Sequence, residues 1–482
     1  MKQLTNYIFI LLLSFILGAC GNKFLDESPK TAIGDNELIS TITDLDNAAN
    51  GCYHYLLATS GAYGYYYDSW YTFSGDLLGD DFRSEKSWSK DYYQYNATAY
   101  DITTVIYIHA YKLCNHVAMT IKGAEILAES QEKETLIAEM RVLRALAHFD
   151  LAKLWSPLPS NLGKGTISAD ALGVKIYDEI PKDIRESAYR DKAKDVYAFI
   201  NKELNDWVPK LSKKKRNGRL DYYGGLALRA RFNLYMENWD GALNDALEIM
   251  KSGKYSLYNM DEYVSVWEKE FTSESIFELR VTETEPNQWV SIGTIAGNLY
   301  HIIGTTKDFE KLMKTDPNDV RFDVYVYSKT EQYYTPKLKY VGRDGNEKVC
   351  SPKLFRLSEM YLIAAEAAMR LGKTDAGKYL SDLREKRTTT TPRKYDAGIT
   401  LDDVLYERRI ELACEGHRAW DLWRNLKPVV RWTTSEEKLE KRHMDIYGVI
   451  PFDHFHRVWP IPDRELQLLP ESERAGQQNP GY

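Results

Sequence analysis

Two stretches of this chain carry the same helix–turn–helix pattern. Ala230, Leu234, Ala242, Ala246 and Ile249 fall on Ala364, Ala368, Ala376, Leu380 and Leu383 at a constant offset of 134. In each copy apolar residues recur every three or four positions, the signature of one helix face. A tight polar turn separates the two helices: Glu237-Asn238-Trp239-Asp240-Gly241 in the first copy, Leu371-Gly372-Lys373-Thr374-Asp375 in the second. Small alanines at the crossing let the helices approach closely. One such pair cannot bury its apolar face alone, so it must stack on others. The expected fold is mainly α: several helix pairs stacked into a right-handed scaffold.

The pairs resemble tetratricopeptide repeats, but the copies are not adjacent, so the chain is not a simple solenoid. Other segments share the period. Leu136, Met140, Leu143, Ala147, Leu151 and Leu154 line one face until Pro157 and Pro159 end the helix. Val196, Ile200, Leu204, Trp207 and Leu211 line another, and helical periodicity begins near Asp44. Between these lie long irregular insertions rich in Gly, Pro, Tyr and Thr: 60–100, 156–190, 270–350 and 425–482.

The amino terminus reads as an export signal. Lys2 supplies a positive start, Ile8 to Ile16 is apolar apart from Ser14, and the segment is too short to span a bilayer. It ends Leu17-Gly18-Ala19-Cys20, which fits a bacterial lipoprotein signal with Cys20 as the lipidated first residue of the mature chain. Residues 1–19 are then signal peptide, 20–43 a tether, and 44–482 a single domain, with an N-terminal part to about 255 and a C-terminal part from about 256. Acyl chains on Cys20 would be the membrane anchor, each buried methylene worth about 0.8 kcal/mol.

Lys plus Arg is 63 against 70 Asp plus Glu, a net charge of −7. With no basic excess, nucleic acid is not an expected partner. Cys52, Cys114, Cys350 and Cys414 show no metal spacing and sit in apolar or helical patterns, where buried free thiols are the default; one or two disulfides stay open, with no pairing read from spacing. No phosphate loop, dinucleotide fingerprint, HExxH or GxSxG occurs, and no cofactor, metal or catalytic residue is expected. Lys210, Lys213, Lys214, Lys215, Arg216 and Arg219 form a basic run, expected to be a solvated loop between two helices.

The C-terminal third is dense in charge. In Glu407-Arg408-Arg409-Ile410-Glu411-Leu412-Ala413-Cys414-Glu415-Gly416-His417-Arg418-Ala419-Trp420-Asp421-Leu422-Trp423-Arg424, apolar residues alternate with the charges all round. Buried Arg–carboxylate pairing, which orients elements rather than catalyses, is the expectation. The run closely resembles the ERRxELxxEGxRxxDLxR signature of the SusD/RagB family of nutrient-binding lipoproteins. Further matches follow in chain order: Phe24-Leu25-Asp26 after the lipidated Cys, the segment Leu151 to Pro159, Arg356 to Ala367, Pro460-Ile461-Pro462, and the terminal Gln478-Asn479-Pro480-Gly481-Tyr482. Cys414 stands where the family usually has Phe.

The resemblance implies a SusD-like α–α scaffold and a lipoprotein of the Gram-negative outer membrane, facing outward. It implies a lid on a SusC-like TonB-dependent transporter that captures oligosaccharide, or peptide in some members, without catalysis. A glycoside hydrolase on a helical scaffold is the rival from another class. The family binds ligand with loop aromatics, and Tyr is concentrated here: 12 of the 35 fall between Tyr53 and Tyr107. Trp70, Phe73 and Leu77 have helical spacing and should pack. Arg83 to Asn96 has no such period, so Trp88, Tyr92 and Tyr93, with Arg83 and Asn96 as hydroxyl partners, are the first candidates for ligand contact. Trp289 and Tyr300, with Asn287, are the second group.

Overall fold

The computed structural model describes residues 39–57, 66–84, 90–98, 102–284, 286, 288–297, 299–390, 395, 398–431 and 448–482. Cys20, Trp88 and Asn287, and with them the signal peptide and most of the tether, lie outside the described residues.

The helices are α1 (Ile42–Leu57), α2 (Trp70–Leu77), α3 (Lys90–Gln94), α4 (Ile102–Gly123), α5 (Gln131–Trp155), α6 (Ala193–Trp207), α7 (Tyr222–Tyr235), α8 (Trp239–Lys251), α9 (Ile292–Ala296), α10 (Lys307–Met313), α11 (Leu357–Arg370), α12 (Ala376–Arg384), α13 (Leu401–Glu411), α14 (Arg418–Arg424), α15 (Asp463–Leu466) and α16 (Glu471–Gln477). Side chains fix several starts. Ser130 accepts from the Lys133 amide at 3.1 Å and Asp221 from the Gly224 amide at 3.0 Å. Thr400 and Asp403 form a reciprocal capping box. Helix α1 begins two residues ahead of Asp44, because Asp44 and Thr41 satisfy each other's amides at 2.8 and 3.2 Å.

Helices α1 and α4, α5 and α6, α7 and α8, and α11 and α12 form the pairs. The two repeat copies are separated in sequence yet are neighbours in space: α8, the second helix of one copy, packs against α11, the first helix of the other. The intervening chain is looped out of the stack, and all ten matched repeat positions are buried. One continuous apolar core runs from Ile39 to Leu466. Trp70, Phe73 and Leu77 are buried in it, as their spacing predicts.

The insertions hold small antiparallel strand pairs: β1 (Phe82–Arg83) with β3 (Gly304–Thr305), β2 (Ser275–Glu278) with β6 (Lys353–Arg356), β4 (Val326–Ser328) with β5 (Tyr333–Thr335), and β7 (Val429–Val430) with β8 (Val449–Ile450).

The basic run is not simply a solvated loop. Arg219 grips Glu139 of α5 at 2.7 Å and Asp46 of α1 at 2.6 Å, Arg216 adds a weaker bond to each, and Lys210 reaches Glu134 at 3.0 Å. The run fastens the loop after α6 to the first two helix pairs; Lys213 and Lys215 lie over the Tyr222 and Tyr255 rings. Cys52, Cys114, Cys350 and Cys414 are buried free thiols. Burial pushes the Cys114 and Cys350 thiols up to about 12, so neither is a thiolate at neutral pH.

Candidate ligand-binding face

The insertions meet on a framework set by the signature helices α13 and α14. Arg356 donates to Glu274 at 2.9 Å, to Glu411 at 3.1 Å and to Glu415 at 2.6 Å. Arg387 binds the same Glu411 at 2.9 Å. Glu407 receives Arg321 and Arg384, each at 2.8 Å. Arg424 forks onto Glu366 at 2.6 Å for both bonds. All of these groups are buried except Glu415, which is partly exposed. Burial alone would raise the Glu411 carboxyl, but Arg387 and Arg356 outweigh it and hold the pKa well below the usual carboxylate range. These pairs tie the scaffold helices α11 to α13 to the loop chain at 274 and 316–321, as the alternation of charged and apolar residues predicts.

The same helices position the loop after α2. Arg418 meets Asp80 at 2.7 Å, Arg409 pairs with Asp81, and the Gly416 amide donates to Asp76 at 2.6 Å. The segment 66–84 is thereby held against the 288–306 insertion. The Ile292 amide donates to the Asp68 carbonyl at 2.7 Å, the Thr306 amide to the Asp81 carbonyl at 2.9 Å, and Arg83 stands opposite Gly304 in the β1–β3 ladder. Arg83, at the start of the first candidate stretch, is thus paired with the chain just beyond Tyr300 of the second.

Trp289 is 55% exposed, and the Lys348 ammonium lies 3.8 Å from its ring centroid. Its backbone is locked: the Thr294 hydroxyl donates to the Trp289 carbonyl at 3.0 Å, and Ser291 caps α9 while donating to the Glu347 carbonyl at 2.6 Å. Gly293 permits this contact, since a Cβ there would stand 2.2 Å from the Glu347 carbonyl oxygen. Tyr300 is half-buried and packs on the core beside the same turn. Asn96 is exposed. Arg83 is buried, with its guanidinium 5.4 Å from the Tyr333 ring.

Tyr92 and Tyr93 differ from expectation. They are 3% and 5% exposed. Tyr92 lies between Trp70, at 6.1 Å, and Trp459, at 5.1 Å. Tyr93 is covered by the Arg431 guanidinium at 3.9 Å, and Arg431 itself donates to the Gly79 and Leu77 carbonyls, each at 2.9 Å. Both rings support the loop from beneath and offer no face to a ligand. The aperiodic sequence hides this because α3 is only five residues long and its partners come from the C-terminal chain. An aromatic that sequence reasoning missed is Tyr327, which is 46% exposed and edge-on to Tyr334 at 5.0 Å across the β4–β5 pair. The alternation Tyr325, Tyr327 before a turn and Tyr333-Tyr334 after it was the available signal.

Among the described residues no group of three or more His, Cys, Asp or Glu side chains converges as metal ligands. No helix among them is long and apolar enough to cross a membrane.

A SusD family model matches residues 340–482, which supply most of the buried ion-pair framework; Glu274 and Arg321 lie outside that span. Over residues 340–482 the chain is similar to the SusD family. The SusD-like protein P25 of Formosa agariphila is 21% identical over the full length of both chains. A solved putative sugar binding protein from Bacteroides vulgatus is 26% identical and superposes with a TM-score of 0.80, covering 92% of this chain and 99% of that one. Surface glycan-binding protein A of Bacteroides thetaiotaomicron, solved in complex with laminarihexaose, shares the fold at a TM-score of 0.70 and 17% identity, covering 91% of this chain and 100% of the other. These solved proteins share the arrangement of helix pairs seen here.

Proposed function

We propose that the chain is a non-catalytic surface lipoprotein that captures oligosaccharide and passes it to a SusC-like TonB-dependent transporter in the outer membrane. The observation that carries this reading is whole-length likeness to a solved putative sugar binding protein. The exposed Trp289 supports it: an aromatic plane flanked by polar groups suits the C–H face of a sugar. Cys20 is the proposed lipid anchor, and its place at the end of a short apolar leader supports a membrane-tethered protein.

A soluble form beginning at Gly21 is titrated with a glycan panel and, in parallel, a peptide pool. Saturable binding of at least one glycan without release of new reducing ends is expected. Release of reducing ends would establish a hydrolase instead, and binding confined to peptides would replace glycan by peptide. Co-purification of a TonB-dependent transporter with the lipidated protein tests delivery, and its absence after cross-linking would remove that step.

A further inference from the structure

A second aromatic cleft lies on the scaffold, built from residues other than those around Trp289. It has a volume of about 280 Å³ and opens between α4, the insertion that follows α5, and α15. Its walls include Tyr107, Lys112 and Tyr111 from α4, Tyr177 from the insertion, and Glu465 from α15. Tyr107 and Tyr111 are one helical turn apart, with ring centroids 4.7 Å apart at 53°. Tyr177 completes the set 6.4 Å from Tyr111 at 64°.

The rings are held in place before any ligand arrives. The Tyr177 hydroxyl donates to Asn115 Oδ1 at 2.7 Å, the Tyr177 amide donates to His148 Nε2 at 3.0 Å, and the Tyr111 hydroxyl donates to the Lys175 carbonyl at 2.9 Å. Pre-organisation of this kind lowers the entropy cost of binding. Against this order stands one open group. Among the described residues the Glu465 carboxylate has no hydrogen-bond or ion-pair partner, although it lines the cleft. Burial raises its pKa. Its oxygens are not sealed from solvent, so hydroxyl groups of a ligand can take the place of water on them.

The surrounding charges narrow what that ligand is. Lys112 lines the same cleft, and the Arg190 guanidinium is close enough to act on Tyr107. A cationic ligand meets both. An anionic ligand meets Glu465. A neutral ring with hydroxyl donors on its edge and C–H groups on its face satisfies the carboxylate and the tyrosines together. We propose that this cleft is a second glycan subsite that takes one neutral pyranose ring, its C–H face on the half-buried Tyr111 and Tyr177, with the buried Tyr107 backing them, and its hydroxyls on Glu465. It rests on the glycan-capture reading, but requires Tyr177 and Glu465 rather than Trp289.

The test is saturation-transfer NMR on the soluble chain from Gly21. The probes are the methyl glycosides of glucose, galactose, mannose and xylose, and laminarihexaose. Transfer to ring C–H protons of at least one probe is expected. It should weaken about tenfold in Tyr177→Ala and in Glu465→Gln, the loss that follows from removing one central contact. The melting temperature of Glu465→Gln should be unchanged, which separates lost binding from lost fold. In Trp289→Ala part of the transfer should persist and remain sensitive to Glu465→Gln. If transfer survives both cleft substitutions and vanishes with Trp289→Ala, the subsite is wrong while glycan capture stands. Transfer from no probe overturns the subsite as stated; saturable binding of another glycan in the panel titration would still leave capture standing.

Discussion

The Lys348 ammonium sits 3.8 Å from the centroid of the Trp289 ring, and that ring is more than half exposed. A cation over an exposed indole contributes about 0.5–1 kcal/mol and orients the ring without burying it. Trp289 therefore keeps an exposed apolar ring on a fixed backbone, with Lys348 over one of its faces.

Trp289→Ala should weaken glycan binding by about 2 kcal/mol, roughly thirtyfold, as expected for a central aromatic contact. Its melting temperature should stay close to wild type, because an exposed ring contributes little to the core. Isothermal titration with the glycan selected from the panel, beside a thermal melt, gives both numbers. Unchanged affinity would remove Trp289 from the site.

Tyr92→Ala should show the opposite pair of results. Its ring is buried between Trp70 and Trp459, so truncation should cost about 3–5 kcal/mol of stability. Any affinity loss in the surviving folded protein should be smaller than for Trp289→Ala. A variant with wild-type stability and abolished binding would contradict the buried placement.

Glu411→Ala leaves Arg356 and Arg387 buried with part of their negative charge removed. Breaking a buried pair from one side costs about 3–5 kcal/mol. A steep drop in denaturation midpoint, or insoluble protein, is expected in chemical unfolding. A shift below 1 kcal/mol would mean that the framework is not a determinant of the fold.

Stability should fall on mild acidification. The His148 ring accepts the Tyr177 amide at Nε2 and faces the Arg144 carbonyl at Nδ1, 2.9 Å away, which suits the neutral ring alone. Burial lowers its pKa from 6.5 to about 4. Burial, with Arg231 and Arg408 nearby, also holds His417 well below its ordinary value. Below pH 6.5 the unfolded chain takes up protons that the folded chain refuses, so stability is full above that pH and declines toward pH 4. At pH 5 the loss from His148 is about 2 kcal/mol relative to pH 7.5. Urea unfolding at the two pH values checks this, and His148→Gln should flatten the slope whatever its absolute stability. Because buried carboxyls such as Asp76, whose pKa burial raises, gain stability as pH falls, the decisive comparison is the slope: one unchanged in His148→Gln would refute the assignment.

Cys20→Ala should leave the fold intact and move the protein from the membrane fraction to the soluble fraction, since Cys20 is the proposed anchor. Fractionation at high salt in cells lacking the transporter is the measurement. Sedimentation of the variant with membranes would mean that something else holds it there.

Periodicity, caps and signature charges made the scaffold legible. Ala230, Ala364 and their partners are buried because a 3.6-residue repeat already says which face must be covered. The Glu407–Arg424 run announced buried pairing because apolar neighbours on all sides leave no solvated face for the charges. The site was less legible. Arg83 and Trp289 stand out only by the lack of a helical period and by the family resemblance, and it takes the β1–β3 ladder to bring Arg83 beside the chain that follows the Trp289 turn.

The sequence alone therefore determined the helix pairs, the turn between each pair and the family signature, because helical spacing and capping act between residues a few positions apart. The tertiary structure decided what those rules do not reach. It brought α8 against α11 across more than a hundred residues of chain. It buried Tyr92 and Tyr93 beneath Trp459 and Arg431, and it left Trp289 outside under Lys348. Whether an aromatic ring is wall or platform depends on which distant side chains arrive to cover it, and no local pattern carries that information.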